Sequence, residues 1–337
     1  MLTRAIPTLA AALVAATPLA AQDTTINFAL DWRFEGPSAP YFLAIDNGHF
    51  AAEGLEVNVT AGEGSLDAIP KVASGAFPMG FADINSLVRF LDQNPGAPVI
   101  GAMMVYDSPP FSIVGRVSQG ISGIEDLEGS TLGAPPPDGA WAQFPILAAV
   151  NGIDVSTITV EPVGFPTREP MLAEGNVDAV TGFNFSSYLS LARLGIPEDD
   201  ITTILFADHG VELYGNAVIV NTDFAAANPE IVTGALRAIA RGVADAAADP
   251  AAGAAAVIAR NPAGDVDLET RRLQLALDAN ILTPWVMENG LGGIDADRMA
   301  TAIEQLRLTY EFQNEPDASL YFTDAYLPEA EVRMISR

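Results

Sequence analysis

Residues 26–59 read INFALDWRFEGPSAPYFLAIDNGHFAAEGLEVNV, and this stretch determines the expected fold class. The apolar run 26–30 predicts a buried strand, and residues 38–45 have the pattern of a short helix. Residues 55–59 alternate between apolar and polar side chains, as a half-buried strand does. A strand, a helix and a second strand in this order indicate an α/β sheet.

The same order of strands and helices continues along the chain. Further strands are predicted over 79–81, 99–105, 111–114, 131–134, 158–162, 179–181, 201–206 and 217–220. Helices are predicted over 65–73, 84–91, 140–150, 168–174 and 185–194. From residue 223 to about residue 310 the chain is mostly helical. Two similar α/β units followed by a helical tail predict two lobes.

The expected boundaries of the lobes follow from this order. The first lobe comprises residues 22–114 and 217–337, and the second lobe, residues 115–216, is inserted into it. The chain would then pass between the lobes at 111–115 and 215–220. Two short connecting segments of this kind can act as hinges that let the lobes close around a ligand.

Composition excludes several classes of function. The 337 residues include 16 Lys and Arg, 43 Asp and Glu, two His and no Cys, for a net charge of −27. Phosphate groups would be repelled over most of such a surface, so we expect no nucleic-acid partner. A chain without cysteine has no disulfide, no thiolate metal site and no thiol nucleophile. We expect neither a metal nor a cofactor.

Residues 1–21 have the pattern of a secretory signal peptide. Arg4 precedes an apolar, alanine-rich stretch over 6–19, and small residues close the segment at Ala21. The alternatives are a buried first helix or a membrane anchor, and Pro18 disfavours both. Because no cysteine is available for lipid attachment, we expect a protein that is exported to the periplasm without a lipid anchor.

Several short motifs occur in a fixed order along the rest of the chain. They are DW (31–32), YFLA (41–44), GHF (48–50), EGLEV (53–57), VASG (72–75), MGFAD (79–83), DLEG (126–129), TLG (131–133) and GNVDA (175–179). Together they resemble the NMT1/THI5-like branch of periplasmic solute-binding proteins for ABC importers, which includes binders of thiamin-precursor pyrimidines, taurine, alkanesulfonates and nitrate. The resemblance implies a type II periplasmic-binding-protein fold, two α/β lobes joined by two hinge segments. It also implies a small-molecule ligand held between the lobes and an ABC permease in the inner membrane as partner; we expect a monomer.

In an open α/β sheet, ligands bind beyond the carboxyl ends of the strands. In the first lobe this rule selects the candidates Asp31, Trp32, Phe34, Gly64, Ser65, Asp83 and Asn85. Trp32 offers a flat face to a planar ring, unless it packs in the core. Asp31 can accept a hydrogen bond from a ligand N–H group, unless it caps a turn or pairs with Arg33.

Two of these positions have a purely structural alternative. The turn at Gly64 and Ser65 offers free backbone N–H groups to an anion or a carbonyl oxygen, or it is an ordinary helix start capped by Ser65. Asp83 likewise fits the simple role of a helix cap, which would leave Asn85 to face the cleft.

In the second lobe the rule selects Pro137, Asp138, Trp141, Arg168, Phe183, Asn184, Phe185 and Tyr188, with Tyr214 on the returning segment. Arg168 can bind a ligand carboxylate or carbonyl, or it can form an internal salt bridge with Glu169 or Glu161. Trp141 can form a second aromatic wall, or it can pack in the core. Asn184 can donate and accept hydrogen bonds at once, as the edge of a pyrimidine requires.

These residues favour a small planar heterocycle, such as a thiamin-precursor pyrimidine, as the ligand. The prolines at 135–137 remove backbone donors, and Asp138 would repel an anion, so an oxyanion is disfavoured. A binder of taurine, an alkanesulfonate or nitrate is the alternative, and it would use Arg168 or Arg33. A sensor subunit of a membrane receptor would use the same fold.

An enzyme is the third class of function considered. The resemblance includes a fungal branch that makes a pyrimidine with histidine and cysteine residues, whereas this chain has no cysteine. Neither His49 nor His209 lies in a pattern that supplies a catalytic partner, and no nucleophile elbow or phosphate loop is present. We therefore expect no enzymatic activity.

Overall fold

The computed structural model describes residues 24–336, so the expected signal peptide lies outside the described residues. The strands of this region form two sheets of five strands each. In chain order they are β1 (Thr24–Ala29), β2 (Leu55–Thr60), β3 (Met79–Asp83), β4 (Val99–Met104), β5 (Phe111–Arg116), β6 (Thr131–Ala134), β7 (Thr159–Pro162), β8 (Ala179–Phe183), β9 (Ile201–Leu205) and β10 (Asn216–Asn221).

The two sheets repeat one plan. The strand order is β2-β1-β3-β10-β4 in the first sheet and β7-β6-β8-β5-β9 in the second. In each sheet the first three strands are parallel, and the fourth runs antiparallel to both of its neighbours. In both sheets, this fourth strand is the first strand that the chain enters after it has passed over from the other sheet. The expectation of two α/β lobes is confirmed by this arrangement.

The chain passes between the sheets earlier than the sequence pattern predicts. Strand β5 pairs along its whole length with β8 and β9, so residues 111–115 lie within the second sheet. The outward passage is therefore 105–110. Strand β10 likewise pairs with β3 and β4, so the returning passage, 206–215, precedes it. Apolar runs predict where strands lie, but they do not say which sheet each strand joins.

Helices cover both sheets, and most begin at a side-chain cap or a proline. They are α1 (Ala39–Asp46), α2 (His49–Ala52), α3 (Ser65–Ala73), α4 (Ile84–Gln93), α5 (Gly139–Asn151), α6 (Arg168–Glu174), α7 (Asn184–Arg193), α8 (Thr222–Ala227), α9 (Pro229–Ala248), α10 (Pro250–Ile258), α11 (Val266–Ala276), α12 (Pro284–Asn289), α13 (Ala296–Arg307) and α14 (Ala330–Arg333). Within 24–336, none of them combines the length and hydrophobicity that a membrane span requires.

The helical tail from α8 onward packs on the first sheet. Helix α9 approaches α1 so closely that a Cβ atom on Gly242 would lie 2.0 Å from the carbonyl oxygen of Pro40. The chain end also hydrogen-bonds to β4, where the N–H of Gly101 donates to the carbonyl of Tyr321 over 2.9 Å. The tail therefore completes the first lobe, although it follows the second lobe in sequence.

The two lobes touch each other, and we call this arrangement the closed form. Gln143 of α5 donates to the buried carboxylate of Asp83 over 2.8 Å, and Arg89 of α4 donates to the carbonyl of Ala142 over 2.7 Å. One buried apolar cluster contains residues of both lobes, Ile69 and Phe111 among them.

One side chain joins the two passages between the lobes. Nη2 of Arg298, on α13, donates to the carbonyl of Asp107 over 2.6 Å and to that of Leu213 over 2.7 Å. Its guanidinium also lies 4.1 Å from the ring centroid of Tyr214. The outward and returning segments are thus held against each other at this point.

Candidate functional site

A cleft lies between the carboxyl ends of the two sheets, and it has two connected parts. Both parts are partly open to solvent, and the cavity volume is about 30 Å³ in the first part and about 20 Å³ in the second. Asp31, Trp32 and Phe183 line both parts. The first part is completed by Leu30, Arg33, Glu35, Pro37, Ser38, Tyr41, Phe81, Tyr106 and Phe185. The second is completed by Gly64, Ser65, Asp138, Gly139, Phe165, Arg168 and Ser186.

Aromatic rings form most of the apolar wall. In the first part Phe81 and Tyr106 meet edge to face with their centroids 5.2 Å apart, and Phe183 and Phe185 do the same at 5.8 Å. Trp32 meets Phe165 of the opposite lobe edge to face at 4.5 Å. Rings in fixed edge-to-face contact make a rigid, narrow slot, which suits a planar ligand ring.

Asp31 is a buried carboxylate at the end of β1, only 6% exposed. Both of its side-chain hydrogen bonds fall on Oδ2, which accepts from Nδ2 of Asn216 over 2.6 Å and from Oγ of Ser65 over 3.2 Å. Burial raises the pKa of this carboxyl from 3.8 to about 7, despite those two hydrogen bonds. Near neutral pH, Asp31 is therefore present in both forms and can donate or accept toward the cleft.

We expect Asp31→Asn to remove a pH dependence of stability. The pKa of the Asp31 carboxyl is 3.8 when unfolded and about 7 when folded, so folding binds a proton between these values. The wild-type free energy of unfolding should therefore fall by about 3 kcal/mol more than that of the variant between pH 5 and pH 8. Urea unfolding of both proteins at the two pH values measures the difference. Parallel pH profiles would contradict the assignment.

Asp83 and Asn85 belong to a buried network. Oδ1 of Asp83 accepts from the backbone N–H and from Nδ2 of Asn85, over 3.0 and 2.7 Å. Its Oδ2 accepts from the hydroxyl of Ser86 over 2.6 Å and from Gln143 of the other lobe over 2.8 Å. Asp83 caps α4 and links the lobes, and burial raises the pKa of its carboxyl.

Arg168 lines the cleft, but its charge is compensated within the second lobe. Nη2 lies 2.6 Å from Oε1 of Glu169, and Nε donates to the same oxygen over 2.8 Å. Nη1 lies 3.7 Å from Oδ2 of Asp138, which also accepts from the hydroxyl of Thr181 over 3.0 Å. Burial raises the pKa of Asp138, against the attraction of Arg168. Of the two roles considered for Arg168, the internal salt bridge is present.

Some buried polar atoms at the cleft have no hydrogen-bond partner among the described residues. They include Nε1 of Trp32 and the hydroxyl of Tyr41, and both residues line the first part of the cleft. Buried polar groups in native proteins are almost always paired.

The predicted site residues are divided between the cleft and its surroundings. The cleft is lined by Asp31, Trp32, Gly64, Ser65, Asp138, Arg168, Phe183 and Phe185. Pro137 touches Gly64 across the lobes, since a Cβ on Gly64 would lie 2.4 Å from its carbonyl oxygen. Trp141 stacks on Phe144 at 5.7 Å, and Phe34 packs edge to face on Phe42 at 4.9 Å.

The remaining predicted residues make internal contacts. Oδ1 of Asn184 accepts from the backbone N–H of Phe185 over 2.9 Å, and the hydroxyl of Tyr188 donates to Glu198 over 2.7 Å. Tyr214 is fully buried, and its hydroxyl accepts from the N–H of Asp295 over 2.7 Å.

Sequence reasoning missed several cleft residues. They are Glu35, Tyr41, Phe81, Tyr106, Phe165 and Ser186. Phe165 and Ser186 follow strand ends in the second lobe, so the rule that selected their neighbours could have found them. Tyr41 lies inside α1 and Tyr106 on the outward passage, where no local pattern separates a cleft residue from a core residue.

Among the described residues, the lining of the cleft contains neither a histidine nor a candidate metal site. Nε2 of His49 lies 2.7 Å from Oδ2 of Asp245, on α2 and α9 of the first lobe. Within residues 24–336, no group of three or more acidic or histidine side chains is placed to hold a metal ion.

Known proteins share the sequence pattern of this chain. The family described as NMT1/THI5 like matches residues 36–253. The riboflavin-binding protein RibY of Chloroflexus aurantiacus is 28% identical over 298 residues, which cover 86% of this chain and 82% of that protein. A formylaminopyrimidine-binding protein of Halalkalibacterium halodurans is 29% identical over 203 residues, 59% of each chain. A 4-amino-5-hydroxymethyl-2-methylpyrimidine phosphate synthase of Aspergillus parasiticus is 27% identical over 236 residues, which cover 67% of this chain and 68% of that enzyme.

Solved structures share the fold. A protein of Bordetella bronchiseptica RB50 has a TM-score of 0.69 at 20% identity, covering 93% of this chain and 96% of that one. The alkanesulfonate-binding protein SsuA of Xanthomonas axonopodis, bound to MOPS, has a TM-score of 0.65 at 15% identity, covering 87% and 96%. The expected periplasmic-binding-protein fold is confirmed by these similarities.

Proposed function

The chain belongs to the NMT1/THI5-like family, and from this premise we propose that it is the solute-binding component of an ABC importer for a small planar heterocycle. One observation carries the choice of ligand. The cleft combines aromatic walls with the buried Asp31 and with two polar atoms, Nε1 of Trp32 and the hydroxyl of Tyr41, that lack partners within residues 24–336. A flat ring with N–H and carbonyl or amino groups on its edge satisfies both features.

The named ligands of two relatives have this chemistry. Riboflavin and formylaminopyrimidine both contain a planar nitrogen heterocycle with polar groups on its edge. Taurine, an alkanesulfonate or nitrate would instead need an uncompensated cation inside the cleft. Arg168 does not offer one, because Glu169 and Asp138 already compensate its charge, so Arg33 alone of the two arginines that line the cleft would have to bind such an anion.

The proposed mechanism is capture followed by closure. The ligand enters between open lobes, and rotation at 105–110 and 206–215 buries it against the aromatic wall. Each desolvated hydrogen bond left unmade by a wrong ligand costs about 1–3 kcal/mol, which gives selectivity. The closed protein then presents its ligand to a permease in the inner membrane. It works as a periplasmic monomer, exported by residues 1–21.

We propose no catalytic role, although some relatives of the chain are named as synthases. The histidines of this chain, His49 and His209, are absent from the residues that line the cleft. The carboxylates that do line it are bound by protein donors, as Asp31 is by Asn216 and Asp138 is by Thr181. These contacts support a binding role.

Tyr41→Phe separates a role in binding from a role in folding. The variant loses only a hydroxyl that has no partner among the described residues. Without ligand, the free energy of unfolding of the variant should equal or exceed that of the wild type, because an unpaired buried polar group is removed. Affinity for the ligand should fall about tenfold, the value of one hydrogen bond in a dry site. Calorimetry with riboflavin, pyrimidines and taurine, together with urea unfolding, gives both quantities.

Tyr188→Phe is the matched control, because its hydroxyl bonds Glu198 outside the cleft. Its affinity should equal that of the wild type. The proposal would be rejected if taurine or an alkanesulfonate bound and no ring compound did. Equal effects of the two Tyr→Phe changes on affinity would remove Tyr41 from the site.

A further inference from the structure

A wide groove borders the mouth of the cleft. It lies between residues 165–170 and 190–194 of the second lobe and residues 261–272 of the tail, and its volume is about 610 Å³. It shares Arg33 and Glu35 with the first part of the cleft and Phe165 with the second. A ligand in the cleft can therefore extend a substituent into this groove, which we call the outer groove.

The outer groove holds the unpartnered cations of the described chain. Within residues 24–336, Arg33 and Arg193 are the two cationic side chains that form neither a hydrogen bond nor an ion pair. The side chains that form ion pairs are Lys71, Arg116, Arg168, Arg237, Arg241, Arg260, Arg271, Arg272, Arg298 and Arg307. Arg89 and Arg333 donate to backbone carbonyls. Both unpartnered arginines line the same groove.

The carboxylates of the outer groove, in contrast, are bound. Glu169 pairs with Arg168 at 2.6 Å. Glu269 pairs with Arg272 at 2.6 Å and accepts from the N–H of Gly36 over 2.6 Å. Glu35 accepts from the hydroxyl of Ser186 over 2.9 Å and lies 3.5 Å from Nη1 of Arg272. The groove is lined by three arginines and three glutamates, and among these charged side chains Arg33 and Arg193 are the two without an ion-pair partner.

We propose that the ligand carries an oxyanion substituent, of which a phosphate monoester is the form to be tested, and that Arg33 and Arg193 bind it in the outer groove. This inference rests on the proposed function of the cleft. Arg33 lies beside the ring site, with its guanidinium 4.8 Å from the centroid of Trp32. Arg33 belongs to the first lobe and Arg193 to the second, so an anion between them attracts both lobes in the closed form.

The test compares ring compounds that differ only by a phosphate. Riboflavin with flavin mononucleotide is one pair, and thiamin with thiamin monophosphate is the other. One of these pairs is expected to bind the wild type. At low ionic strength, its phosphorylated member should bind about tenfold more tightly than its unphosphorylated member, and this preference should shrink as salt is added. In the double variant R33Q/R193Q the two members should bind equally. Calorimetric titration gives the ratio of the two dissociation constants.

The control is R271Q, since Arg271 forms an exposed ion pair with Glu198. It should keep the wild-type preference for the phosphorylated member. The inference would be overturned if the two members bound the wild type equally, or if the preference survived in R33Q/R193Q. Ring binding without a phosphate preference would leave the proposed function intact, whereas failure of both pairs to bind would reject both.

Discussion

Gly64→Ala is expected to weaken ligand binding by about 10- to 100-fold, because it obstructs the closed form. Gly64 precedes α3 in the first lobe, and a Cβ atom there would lie 2.4 Å from the carbonyl oxygen of Pro137 in the second lobe. The lobes would have to move apart to relieve this overlap, at a cost of about 1–3 kcal/mol. A ligand that needs the closed state loses that amount of binding free energy.

The measurement needs a control for backbone strain, because Gly64 has a φ of +102°. Gly290→Ala provides it, since Gly290 has a φ of +86° and a ψ of 153°, close to the ψ of 160° at Gly64, and its added Cβ would meet Arg333 of the same lobe at 3.3 Å. Both variants should lose about 1–3 kcal/mol of stability from this backbone strain. Only Gly64→Ala should lose affinity, and its radius of gyration with ligand should exceed that of the wild type. Wild-type affinity in Gly64→Ala would show that closure does not bring these two loops into contact.

Arg168→Met is expected to lower the free energy of unfolding by about 3–5 kcal/mol at pH 8. The variant leaves Glu169 and Asp138 buried without their cation, and breaking a buried ion pair costs this much. The loss should shrink at pH 5, because burial raises the pKa of the Asp138 carboxyl and its protonation removes one uncompensated charge. Urea unfolding at the two pH values measures the change.

Arg271→Met is the matched control for this change, because the pair of Arg271 with Glu198 is half exposed on both sides. Exposed ion pairs contribute about 0–1 kcal/mol, so its stability should stay near that of the wild type. If Arg168→Met were as stable as Arg271→Met, the buried pair would not be needed for the second lobe. A loss of ligand affinity with no loss of stability would instead favour direct contact of Arg168 with the ligand.

Local structure could be predicted closely where a segment carries its own start and stop signals. Helices α3 and α6 and strand β6 occupy the predicted residues 65–73, 168–174 and 131–134. Ser74 with Gly75 ends α3, and Gly175 in the left-handed conformation ends α6. These signals act over a few residues, so the sequence alone reveals them.

The candidate site was harder to predict, because it depends on contacts between distant segments. The rule that ligands lie beyond strand ends found Asp31, Trp32 and Phe183, which line both parts of the cleft. It could not show that Tyr41 reaches the cleft from within α1. Nor could it decide whether Arg168 faces a ligand or Glu169, because both contacts fit the same local sequence.

Arg298 restricts how the two halves of the molecule can move. Its guanidinium donates to backbone carbonyls of both connecting segments, at Asp107 and Leu213, so sliding one segment past the other would break a charged hydrogen bond at a cost of about 1.5–3 kcal/mol. Rotation of the lobes about this point can keep both hydrogen bonds, so the contact favours rotation over shear or separation. The unliganded and liganded forms are then expected to differ by one rigid-body rotation of the lobes.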